Sequence, residues 1–386
     1  MNLKFLLPKC LIFSLLSFFV LISQNISNAS EYTAQAKATP PYKVAMFYPR
    51  DAPFWTNFIN LMNEAALDLG IELQTFSAKG NRILMKQQFM SVLEGENKVD
   101  AVIFNNYKNS AAQFIKLANE AKVYSFLVNS AMTAKISNEM GLPREKYPYW
   151  VGQMYPDEKG ANQRITNILI DDARDKYPEQ EVNIIGINGP ISSGAAIMRL
   201  DAFKEAVEQH KNVKLHQVVN VESWDETEAS IKFQALMKRY KQTHIVWAGS
   251  ARLVDGVLMG EKSLGLTAGN DYFTGGVGFK KSMLDAIQKG QVSAAAGGHY
   301  IEGAWSLVLI FDYLSGEDFV DHGVELLTPM GLVTKENVQL YIDNLTQEKW
   351  TKNNLRKINF RQYSKVINPE LDEYQFNFDS IIFQLY

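Results

Sequence analysis

The sequence predicts an α/β protein made of two doubly wound parallel-sheet lobes, joined by a hinge, with a cleft between them. Three observations predict this. Short apolar runs alternate with amphipathic stretches from about residue 44 to 315, a pattern that means parallel sheets covered by helices on both faces. That alternation is interrupted once, around residues 131–160, as expected where a chain first leaves one lobe for the other. The length of 386 residues matches two domains of roughly 100–200 residues each.

The first residues are expected to lie outside the fold. Lys4 and Lys9 are followed by the 13-residue apolar run Cys10–Ile22 and the small-residue pattern Ser27-Asn28-Ala29. This is the layout of a secretory signal peptide over residues 1–29, cleaved after Ala29. The run is shorter than the roughly 20 residues needed to span a bilayer. Cys10 stands at its start, not its end, which argues against a lipid attachment site. Removing two lysines and no acids takes the net charge from -3 to -5 and leaves no cysteine, so neither a disulfide framework nor a thiolate metal cluster is available. A secreted chain without disulfides fits the periplasm. The charge offers no general basic surface for nucleic acid. The five histidines form no HxxxH or HExxH pattern, and no metal or cofactor is expected.

After the polar lead-in ending at Pro40-Pro41, the run VAMFY (44–48) reads as a buried strand. A helix follows over 54–69, with Phe54, Phe58, Met62, Ala65, Ala66 and Leu69 on one face and Gly70 as its stop. Strands are expected at 71–76, 100–106 and 123–129, with helices at 82–94 and 109–121 between them. Beyond the interruption the strands are 182–188, 213–219, 244–249, 272–279 and 292–297, separated by helices 194–209, 226–240, 252–264 and 281–289, and followed by helix 301–315. The organisation expected is an N-terminal lobe of 42–130 plus 299–328, a crossover segment 131–152, a C-terminal lobe of 153–298, and a return into the second lobe with a C-terminal extension over 329–386. The extension is polar and aromatic, and suits either a strand pair packed on one lobe or a docking surface.

In open parallel sheets, ligands sit beyond the carboxyl ends of the strands. Those ends carry Phe54 and Trp55 after the first strand, Asn105 after the third, and Asn129 and Ser130 after the fourth. In the second half they carry Ser193 and Arg199, then Trp224, Ser250 and His299. Adjacent aromatics at a helix start suit stacking on a small cyclic ligand. Amides, hydroxyls and a guanidinium suit hydrogen bonding to a small polar one. Each residue alone is an ordinary cap, turn or core residue; their repetition at equivalent positions carries the inference.

With these residues in place, residues 42–330 resemble the type I periplasmic binding proteins of the ribose and galactose kind, and the ligand domains of LacI-type repressors. Ala52-Pro53-Phe54-Trp55 is similar to the family's first loop, although Ala52 replaces an asparagine. Trp224 corresponds to the family's stacking aromatic in the other lobe, Asn105 to its strand-end amide, and RLDAFKEAV (199–207) to the segment beginning with its buried arginine. LDAIQKG (284–290) is similar to its short helix before a cleft strand. The sequence departs from the sugar importers where they place aspartates. Asn129-Ser130 replaces an Asp-Arg pair, and the VGF strand near Gly278 lacks its acid; in this respect it looks more like the autoinducer-2 receptors. The secretion signal and the lack of a helix-turn-helix before the lobes set the repressors aside.

The resemblance implies a periplasmic, monomeric solute-binding protein. It would close on a sugar or sugar-like signal and present the closed form to the permease of an ABC importer, or to the periplasmic domain of a sensor kinase in chemoreception or quorum sensing. The enzyme alternative is a periplasmic hydrolase of a small glycoside or ester. No GxSxG, Walker loop or βα-turn GxGxxG supports catalysis, and GINGPISSG (186–194) lacks the ending of a phosphate loop.

Overall fold

The computed structural model describes residues 40–345, 350 and 352–385, without the side chains of 352 and 353. The expected signal peptide, residues 1–29, lies outside the described residues. Strands β1 (Lys43–Tyr48), β2 (Glu72–Ser77), β3 (Ala101–Phe104), β4 (Tyr124–Val128) and β5 (Trp150–Pro156) build a first sheet. It is completed by β11 (Glu325–Thr328), in the order β11-β5-β4-β3-β1-β2, and every pairing is parallel. The second sheet takes β6 (Val182–Asn188), β7 (Val213–Asn220), β8 (Ile245–Ala248), β9 (Phe273–Val277), β10 (Ala294–Gly297) and β12 (Gly331–Thr334). Its order is β12-β10-β9-β8-β6-β7, parallel except that β12 runs antiparallel to β10.

Burial explains why the strands read as uninterrupted apolar runs. All four residues of β3 and of β8 are buried, because helices cover both faces of the central strands. The edge strands β2 and β7 are mostly half-exposed. Helices α1 (Pro53–Leu69), α2 (Arg82–Met90), α3 (Ala111–Glu120) and α4 (Ala134–Met140) belong to the first half of the chain. Helices α5 (Glu158–Lys176), α6 (Gly194–Glu208), α7 (Glu226–Arg239), α8 (Ala251–Glu261) and α9 (Lys281–Gln288) follow, and α10 (Glu302–Ser315) comes after β10. In the first lobe Phe89 stacks on Phe114 at 4.2 Å, with Phe104 edge-on to both. In the second, Phe203 stacks on Trp247 at 4.4 Å. Each such ring contributes about 2 kcal/mol by burial alone.

The interruption at 131–160 holds more regular structure than the sequence suggests. It contains α4, β5 and the start of α5, a 19-residue helix capped by Asp157, whose Oδ1 accepts from Gly160 N at 2.8 Å. The chain passes between the sheets three times: from β5 into α5, from β10 through Gly298–Ile301 into α10, and from β11 into β12. After β12 the chain adds α11 (Val338–Asn344), α12 (Lys352–Leu355) and α13 (Phe378–Gln384), and no further strand among the described residues. No described helix is long and apolar enough to cross a membrane.

Candidate functional site

The parallel strands bring their carboxyl ends, and the loops that follow them, toward the three crossings. Pro53 opens α1 and places Phe54 and Trp55 in its first turn. Trp55 is buried, with Tyr48 and Phe58 ring centroids at 6.2 and 5.1 Å. Phe54 is half-buried and lies 4.9 Å from the imidazole of His299, which follows β10. The first-lobe aromatic and the crossing histidine predicted from sequence are therefore neighbours.

In the second lobe Arg199 is buried at 6% exposure, and its partners decide its chemistry. Its Nε and Nη2 donate to the two carboxylate oxygens of Glu158 at 2.7 and 2.6 Å, and Nη1 donates to the Gly249 carbonyl at 2.9 Å. This is a bidentate, charge-assisted pair, and Glu158 itself is only 2% exposed. The guanidinium also lies 5.7 Å from the centre of the Trp224 ring. Trp224 adopts φ +55°, just ahead of the cap residue Asp225, and its ring lies over Gly189, where a Cβ would come within 2.2 Å of it. The sequence-predicted Arg199 and Trp224 are thus brought together. Glu158 is missing from the predicted site because the helix that carries it is missing from the predicted elements.

The amides divide into two sets. Asn105 is buried at the end of β3, and its Oδ1 has no hydrogen-bond partner. The same holds for Oδ1 of Asn188 at the end of β6, whose Nδ2 donates to the Ala196 carbonyl at 3.1 Å. Asn129, at φ +66°, turns its Nδ2 to Glu302 Oε2 at 3.1 Å. Ser193 and Ser250 cap α6 and α8, each accepting a backbone N–H at 3.4 Å. Ser130 lies at the rim where the lobes touch: a Cβ on Gly194 would sit 3.2 Å from the Ala131 carbonyl and 3.8 Å from Ser130 Oγ.

The electrostatics favour neutrality. His299 Nδ1 is buried without a partner, and burial, helped by the charge of Arg199, pushes the imidazole down to about 3. Glu302 is wholly buried. Desolvation raises its carboxyl well above the usual range against the hydrogen bonds from Thr328 and Asn129, and the nearby charge of Glu158 adds to the rise. No cluster of three or more His, Cys, Asp or Glu among the described residues could hold a metal ion. The arrangement offers an aromatic face, unpaired amide and imidazole atoms, and a charge already compensated.

A family model for the periplasmic binding protein domain matches residues 44–318. The chain belongs to this family. Among solved structures, a periplasmic sugar-binding protein from Pseudomonas fluorescens is 24% identical, with 89% of this chain and 99% of that one covered at a TM-score of 0.75. A solute-binding protein of an ABC transporter from Bacillus halodurans, with bound myo-inositol, is 18% identical, covering 80% and 99% at 0.65. The binding component of an arabinose ABC transporter from Shewanella, bound to L-arabinofuranose, is 18% identical, covering 81% and 98% at 0.66. These likenesses establish the two-lobed fold of periplasmic binding proteins. No curated protein matches the chain.

Proposed function

We propose that this periplasmic binding protein captures an uncharged sugar or sugar-like polyol between its lobes and delivers it, in the closed form, to the permease of an ABC importer. The observation that carries the reading is the set of buried polar atoms without partners at the strand ends, Asn105 Oδ1, Asn188 Oδ1 and His299 Nδ1, the last on a ring 4.9 Å from that of Phe54. Such atoms cost free energy unless something pairs with them, and hydroxyl groups on a ring with an apolar face would do so. Uncharged ligands are favoured because Arg199 is already neutralised by Glu158. Contacts from both lobes exist together only when the lobes are closed, so a ligand shifts the equilibrium by its differential affinity for that state. The ligands named for the Bacillus and Shewanella structures, and the transporters they belong to, support the sugar class and the importer over a sensor kinase. Arg199, Trp224, Phe54, Asn105 and His299 are the proposed contacts; Trp55, Asn129, Ser130, Ser193 and Ser250 shape the loops that carry them.

The test is calorimetry of the purified protein with D-ribose, L-arabinose, D-galactose and myo-inositol, and with D-galacturonate as the charged counterpart. One neutral compound should bind with 1:1 stoichiometry, and galacturonate at least about tenfold more weakly than galactose, a difference of about 1.4 kcal/mol. Binding of none of the neutral compounds, or a preference for galacturonate, would sink the proposal. Product release from nitrophenyl glycosides or esters would favour a hydrolase instead.

A further inference from the structure

The C-terminal extension lies beyond the matched family segment, and it returns to the crossings. It first packs on the second lobe through α11, where the Tyr341 ring lies 5.2 Å from Phe279. It then runs over the first lobe. Phe360 N donates to Asp68 at 2.7 Å, Lys365 N and the Tyr374 hydroxyl donate to Asp312 at 2.8 Å, and Phe376 stacks on Trp305 at 5.0 Å. With both lobes engaged, α13 brings Phe378 back to the second crossing, 1% exposed. There Tyr341 donates its hydroxyl to Asp379 at 2.6 Å and fixes the start of α13 against α11.

Phe378 occupies the space behind Gly298. A Cβ on that glycine would fall 2.3 Å from the ring, and Gly298 has φ +91°, which residues with side chains rarely adopt. The same ring meets Tyr300 edge-on, at 5.3 Å and 88°, and Trp350 also meets Tyr300 edge-on, at 5.3 Å and 89°. Between Gly298 and Tyr300 stands His299, with Phe54 packed against it. A three-residue turn that begins with glycine has little stiffness of its own, so the imidazole's aim depends on what packs against its two neighbours.

We propose that Phe378 is a positioning residue for ligand capture: wedged behind Gly298 and against Tyr300, it holds His299 in place beside Phe54 at the second crossing. The inference rests on the reading of the cleft as the ligand site, but its first test needs no ligand. The imidazole Cε1 signals are followed by NMR from pH 5 to 8 in the wild type and in Phe378→Ala, with the His299 signal assigned by its loss in His299→Gln. In the wild type His299 stays neutral across this range. In Phe378→Ala it gains a titration near the ordinary histidine value, while His210, His216 and His244 in the second lobe are unchanged. Phe378→Leu gives a smaller shift in the same direction, and decides the question if the alanine variant does not fold. A His299 signal with the wild-type profile in the folded variant overturns the proposal.

The second arm is calorimetry with L-arabinose and D-galactose. Phe378→Ala should weaken whichever sugar binds by about tenfold, and should add little in a His299→Gln background, because both changes remove the same contact. Losses that simply add would mean that Phe378 does not act through His299. If the wild type binds neither these sugars nor the rest of the neutral panel, the proposed function fails and the NMR arm alone decides the positioning role.

Discussion

A guanidinium stays charged even when buried, so its burial is costly unless an equally buried acid meets it, and Arg199 with Glu158 is such a case. Removing one partner strands the other. Arg199→Met should therefore cost about 3–5 kcal/mol, read as a lower urea midpoint, whereas Arg199→Met with Glu158→Gln should recover much of it. A single variant within 1 kcal/mol of the wild type would show that the pair is not desolvated. His299 gives a second expectation, and its sign follows from its depressed folded value. Between about 3 and 6.5 the unfolded chain binds a proton that the folded chain refuses, so stability is lost as pH falls through that window. His299→Gln should flatten urea midpoints measured between pH 4 and 6.5; an unchanged slope would place His299 in water. At this scale the sequence singles out Arg199 with Trp224 and Phe54 with His299, pairs that the structure brings together, because strand ends in parallel sheets are few and their residues can be enumerated. It hid Glu158, whose partner is 41 residues away and on another helix.

Elements with a single strong pattern were legible and elements of mixed character were not. The runs at β1, β3, β4 and β6 are buried on both sides and cannot be read as anything but strands. β5 carries Gly152 and Gln153 inside it, and α5 is rich in charge and amide groups, so neither stood out beside the prolines that flank them. The crossing expected in that gap does fall there, at its end, from β5 into α5. Glu302, at the start of α10, gathers the other two: its carboxylate accepts from Asn129 beyond β4 and from Thr328 at the end of β11. The asparagine that stands where an aspartate was expected thus serves the hinge region with its donor. Because burial raises the folded value of Glu302, the folded chain holds a proton that the unfolded chain gives up. Stability should fall as pH rises from about 4.5 through that raised value. Glu302→Gln cannot ionise, so its urea midpoint should decline less between pH 5 and 8 than that of the wild type. An identical decline in both would mean that another group sets the slope.

For the molecule as a whole, the extension matters most, and it was the least legible part. The sequence shows an aromatic, polar tail, but its anchors are pairs such as Asp68 with Phe360 and Asp312 with Tyr374, separated by 292 and 62 residues. No local pattern encodes such a pairing; a buried aspartate in the last turn of an apolar helix is the one hint, and it has meaning only once the tail is in place. Asp312 is wholly buried and also accepts from Ser364 Oγ, so replacing it by alanine leaves several donors on the tail without a partner. The loss should be about 3 kcal/mol. If the tail is part of one cooperative fold, this loss lowers the global urea midpoint, and hydrogen exchange speeds up at the 360–376 amides and at the second crossing together. Faster exchange confined to the tail, with the midpoint unmoved, would mean that the two lobes stand without it and that Phe378 adds nothing to the crossing it touches.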